Sequence, residues 1–88
     1  MPKVTVSSTA TKIASSNDRR ISILVQNSGS QTVYLGKNDS ITASEEPYIS
    51  SDGVYQEDNS GGQMWLGDIY GITSTGTADV VYWERSGN

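Results

Sequence analysis

Apolar residues in this chain come in short alternating runs, and none of these runs repeats at helical spacing. Val4 and Val6, then Ile21, Ile23 and Val25, then Val33 and Leu35, then Val80 and Tyr82 are each two residues apart. A spacing of two places side chains on one face of a strand, whereas an amphipathic helix needs a spacing near 3.6. Val, Ile, Thr and Tyr fill the runs, and Gly, Asn, Asp and Ser interrupt them, which is the vocabulary of strands and turns. The expected fold is all-β: an antiparallel β-sandwich, jelly-roll-like, of about eight short strands.

The strand-like runs are Lys3–Val6, Thr11–Ala14, Ile21–Asn27, Thr32–Leu35, Ser40–Ala43, Met64–Leu66, Ile69–Thr73 and Ala78–Glu84. In the third run Leu24 points away from the face shared by Ile21, Ile23 and Val25. That run therefore lies in the middle of a sheet or an interface. The short Asn27-Ser28-Gly29-Ser30 connection predicts a hairpin to Thr32–Leu35, with Val33 and Leu35 facing in and Tyr34 facing out. Residues 44–63 are dense in acids with isolated apolar groups and read as a long acidic loop, with short edge strands at Pro47–Ile49 and Val54–Tyr55. Residues 1–3 and 85–88 are expected to fray.

With 88 residues the chain is long enough for one domain, residues 1–88. Its hydrophobic content of 34% is low, so its core must be thin. Small domains with thin cores generally need a staple. The sequence has no cysteine for a disulfide and no histidine for the usual zinc sets. Self-association is the staple that is left, and a homo-oligomer is expected on that ground. The clustered apolar runs and the modest net charge of −4 set the chain apart from disordered segments. No apolar run approaches the ~20 residues that span a bilayer, and the N-terminus lacks the apolar stretch of a signal peptide.

The acidic balance argues against nucleic acid, which requires clustered Lys and Arg. The charge is unevenly distributed: residues 1–44 carry +3 and residues 45–88 carry −7. Two readings follow, a head-to-tail contact between subunits or strands from both halves interleaved so that the charges mix. Arg19-Arg20 is too short for a nucleic-acid patch and is expected to solvate a turn or to meet an acid on a neighbour.

Catalysis is not expected. Without His or Cys there is no Ser-His-Asp triad, no thiol nucleophile and no imidazole base. The acids Glu45, Glu46, Glu57 and Asp58 read as solvated loop groups rather than a glycosidase pair. Asp52, Glu57, Asp58 and Asp68 are hard oxygen donors, but their spacing does not match a calcium loop, so no metal or cofactor is expected. Asn38-Asp39-Ser40 fits the glycosylation pattern by chance, and Gly61-Gly62 lacks the spacing of a phosphate loop. The aromatics are more informative. Tyr82, Tyr70 and Trp65 are expected in the core. Leu24, Tyr34, Val81 and Trp83 are the interface candidates, because Trp and Tyr dominate hot spots. Tyr48, Tyr55 and Trp65 form a candidate ligand loop, with a glycan as the ligand a stacking aromatic would take.

The run Asn17-Asp18-Arg19-Arg20-Ile21-Ser22-Ile23-Leu24-Val25-Gln26-Asn27, with Gly29 and Thr32-Val33-Tyr34-Leu35-Gly36 after it, resembles a sequence recurrent in small β-sandwich virion proteins of tailed phages. In those proteins an Asn-x-x-Arg segment enters a strand ending in Gln-Asn, and a Gly turn leads to Val-Tyr-Leu-Gly. Ile69-Tyr70-Gly71-Ile72, Thr75-Gly76-Thr77, Ala78-Asp79-Val80 and Glu84 fit as well. The similarity covers about residues 11–84 and departs at the acidic segment 44–63. It implies a non-enzymatic structural protein: a capsid decoration or cement protein, a head fibre or a tail accessory, often a homotrimer. Its partners would be the major capsid protein or a tail protein, and its location a virion assembled in a host bacterial cytoplasm. A carbohydrate-binding, lectin-like adhesion module on a head fibre or tail is the alternative.

Overall fold

The computed structural model describes residues 3–58 and 65–87. Eight strands follow in order: β1 Lys3–Val6, β2 Thr11–Ala14, β3 Arg20–Asn27, β4 Val33–Gly36, β5 Tyr48–Ile49, β6 Val54–Asp58, β7 Ile69–Ile72 and β8 Ala78–Ser86. They form two four-stranded antiparallel sheets, ordered β1-β8-β3-β6 and β2-β7-β4-β5. The first strand pairs with the last, the second with the seventh, the third with the sixth and the fourth with the fifth. A long hairpin wound around itself gives this order, and the result is a jelly-roll sandwich.

Among the described strands, only β4 and β5 are consecutive members of one sheet. The expected hairpin between β3 and β4 is therefore a crossover: β3 lies in the first sheet and β4 in the second. The reason is the Asn27 side chain, which is fully buried. Its Nδ2 donates to the Gln31 carbonyl at 2.7 Å and to the Ile49 carbonyl at 3.0 Å, and its Oδ1 accepts from Gly29 N–H. These bonds bend the chain out of the first sheet. Gly29 passes so close to β8 that a Cβ there would lie 2.9 Å from both Cα and Cβ of Ala78.

The core is built from small branched residues. Val6, Ile13, Ile23, Val25, Val33, Ile49, Ile69 and Val80 fill it together with Ala14 and Ala78. Val4, Leu35, Tyr55, Trp65 and Tyr82 pack against its margin. Tyr70, expected in the core, sits half-buried on the outer face of the second sheet, paired with Lys12. The odd step that turns it outward is fixed by its neighbour Gly71, which faces Ile13, Val33 and Val6.

Two runs expected as strands are not strands. Ser40–Ala43 is turn and irregular structure, where Asn38 Oδ1 takes the Ser40 N–H in an Asx turn (2.8 Å). Trp65–Leu66 is also irregular, and Met64, like Gly61-Gly62, lies outside the described residues. Within the acidic segment, β5 and β6 are edge strands, and β6 continues through Glu57 and Asp58 by pairing with Ile23 and Ser22. At the ends, Met1, Pro2 and Asn88 lie outside the described residues, while Lys3 pairs with Val81 and Arg85 with Ser22.

The charged halves interleave. The ion pairs Lys3–Asp79, Lys12–Asp68 and Arg20–Glu84 each join a base of the first half to an acid of the second.

Candidate functional site

Two features stand out: an apolar outer face on the first sheet and a pocket between the sheets. The face follows from register. In β8, Ala78, Val80, Tyr82 and Glu84 turn inward, so Val81, Trp83 and Arg85 turn outward. Trp83 is directly opposite Leu24, which is opposite Gln56. The next row holds Val81, Gln26 and Val54. Trp83 is 61% exposed and Val54 49% exposed, while Leu24 and Val81 are half-buried. Lys3 and Asp79 border the patch on one side, and Arg85 and Asp58 on the other. Three of the four interface candidates thus share one surface. The fourth, Tyr34, lies on the opposite side of the sandwich, where its ring packs 5.9 Å from that of Tyr48.

The pocket has a volume of about 330 Å³. Leu35 and Gly36 of β4 and the following Lys37 form one wall, and Pro47 lies at its rim. Tyr55 and Glu57, the inward residues of β6, face Trp65 and Ile69. Two of the three ligand-loop candidates, Tyr55 and Trp65, therefore share this pocket. Tyr48 does not, because β5 turns it to the outer face, 66% exposed.

Trp65 is held at several points. Its backbone N–H donates to Glu57 Oε1 at 2.5 Å, and its indole N–H to the Asp68 carbonyl at 2.8 Å. Its carbonyl accepts from Arg20 at 3.0 Å. Gly67 lies against the ring, where a Cβ would be 2.4 Å from Cζ2. Lys37 Nζ sits 4.6 Å from the ring centroid, in cation–π range.

Arg20 organises this end of the molecule, and here the expectation from sequence needs correcting. It neither solvates a turn nor waits for a neighbour; it is 1% exposed. An irregularity between Arg20 and Ser22 in the pairing with β8 turns the side chain inward. Its Nε donates to Glu84 Oε2 at 2.5 Å, and its other nitrogens donate to the carbonyls of Ser15, Trp65 and Gly67. Sequence reasoning missed it because a bulge, not composition, buries it.

Glu57 is a second correction. It is not a solvated loop acid but a half-buried strand residue. Besides Trp65 N–H it accepts the Tyr55 hydroxyl. Burial, then this hydrogen bond and the charge of Glu57, push the Tyr55 phenol from 10.0 up to about 12, with Arg20 opposing in part. A phenol raised on folding stabilises the fold below its unfolded value, and that contribution is lost as pH rises through the folded value. Thermal melts between pH 9 and 12 should therefore show a fall in Tm that Tyr55→Phe reduces. An unchanged slope in Tyr55→Phe would remove this role.

Of the remaining acids, Asp68 is bonded, to Ser16 N–H and Lys12. Asp52 occupies a left-handed turn position, φ 65°, and its N–H donates to the Asn27 carbonyl. Among the described residues no group of three acids could hold a metal ion. No protein-family model, curated protein or solved structure matches the chain.

Proposed function

We propose that this chain is a non-enzymatic structural protein of a tailed-phage virion, a homotrimer of the decoration type that binds the particle surface and bridges its subunits. The observation that carries this reading is the outer face of the first sheet. A small domain that leaves Trp83, Val54, Leu24 and Val81 together on one surface, ringed by charges of both signs, has the anatomy of an interface: an apolar centre inside a polar rim. The thin core supports the same reading, since every fully buried apolar residue among those described is Val, Ile or Ala. The jelly roll is a frame used by viral capsid domains and by lectins, and this analogy supports the reading only at the level of fold. A symmetric oligomer would engage the particle at several points, so modest contacts per subunit add up to firm attachment.

The test is co-sedimentation of the full chain with purified heads and, separately, purified tails of a phage that encodes it. Binding that saturates at a fixed number of copies per particle supports the proposal. A chain that stays in the supernatant with both overturns it.

A further inference from the structure

The pocket and the exposed tryptophan form a complementary pair. We infer that the pocket beside Trp65 is a socket for Trp83 of a second copy of this chain, so that subunits join knob to hole. This rests on the self-association proposed above and specifies its geometry.

The pocket suits one ring system. Its volume of about 330 Å³ is at the low end of small-ligand sites, roughly 300–1,000 Å³. Leu35, Pro47, Ile69 and the Trp65 ring make most of its wall apolar. Its hydrogen-bonding groups are largely committed. The Tyr55 hydroxyl already donates to Glu57, and both Trp65 N–H groups are used. The groups left are the Lys37 ammonium, which lies over an aromatic face, and the spare acceptor capacity of Glu57 and Tyr55. A sugar needs several donors and acceptors at once, and this pocket offers few. An indole brings a flat apolar body, a second aromatic face for Lys37 and a single N–H for Glu57.

Trp83 supplies such a group. It is the most exposed tryptophan, at 61%, and its N–H has no partner among the described residues. It cannot reach its own pocket, because it points outward from the sheet whose inward face carries Tyr55 and Glu57. Charge also fits. Arg85 lies beside Trp83 on the knob side and makes none of the ion pairs found. Glu46 lies in the hollow that adjoins the pocket and shares Lys37 and Pro47 with it. Because Trp83 stands on the outer face of the first sheet and the pocket lies between the sheets, each subunit can use both at once. Such a heterologous contact builds a closed ring or an open chain.

The test uses two variants, Trp83→Ala, which lacks the knob, and Lys37→Trp, which fills the socket from an exposed position. Pro47→Trp is a second socket block that keeps the carbonyl accepting from Leu35 N–H; either block serves if its thermal melt remains cooperative. Each variant alone should dissociate at least about 30-fold more readily than wild type. Mixed one to one, they should form a heterodimer in sedimentation, because one still has a socket and the other a knob. If the socket blocks assemble like wild type and Trp83→Ala does not, the subunits pack face to face and the socket is overturned, while self-association stands. A wild-type chain that never assembles overturns both. Saturable monosaccharide binding, lost in Lys37→Trp with assembly unchanged, would assign the pocket to a sugar and also overturn the inference.

Discussion

Glu84→Leu should be the most damaging single substitution outside the apolar core, lowering stability by about 3–5 kcal/mol. The Arg20 guanidinium has no exposed side-chain surface and Glu84 only 23%. Three backbone carbonyls hydrogen-bond Arg20, but among the described residues only Glu84 forms an ion pair with it. Removing the carboxylate leaves a buried cation with no counter-charge, a far larger cost than the loss of an exposed pair such as Lys3–Asp79. For a domain of this size the effect amounts to a fall in Tm of more than about 12 °C. Glu84→Gln, which keeps an acceptor but not the charge, should fall between the two. Replacing both partners, as in Arg20→Met with Glu84→Leu, should recover part of the loss, because the charge to be buried is then gone. Thermal and denaturant unfolding of the four proteins checks the series. A Glu84→Leu protein within about 1 kcal/mol of wild type would mean that the three carbonyls suffice to hold Arg20.

Trp83→Ala should act on assembly rather than on the subunit. On an outer sheet face it makes none of the core contacts, so its removal should change the stability of an isolated subunit by no more than about 0.5 kcal/mol. Its removal from an interface centre should cost about 2 kcal/mol or more of association free energy, roughly a 30-fold rise in the dissociation constant. The two effects separate through mass action: a fold stabilised by association melts at a temperature that depends on concentration. Wild type should show that dependence and Trp83→Ala should lose most of it. A variant whose Tm falls equally at all concentrations would make Trp83 a stability residue instead.

The strands were largely legible from local pattern. Lys3–Val6 and Thr11–Ala14 match β1 and β2 at both ends, because alternation of Val4 with Val6 and the flanking turn residues act within a few positions. The outward direction of Leu24, Val81 and Trp83 was legible for the same reason. Three things were not. Asn27-Ser28-Gly29-Ser30 has the chemistry of a tight turn, but the carbonyls that fix Asn27 include that of Ile49, distant in sequence, and they turn a hairpin into a crossover. Arg20 looks like a surface base until a bulge turns it inward. Glu57 reads as a loop acid because its strand partner Ile23 and its ligands Tyr55 and Trp65 meet only in the folded sandwich. The pocket is a property of that meeting, drawn from β4, β6, β7 and Trp65, and no local window contains it.

Sedimentation velocity of the wild-type chain over a wide dilution series tests the account most directly. The expected result is a species heavier than the 9.5 kDa subunit that dissociates on dilution, with Tm falling in step. A single 9.5 kDa species at every concentration, with an unchanging Tm, would contradict it.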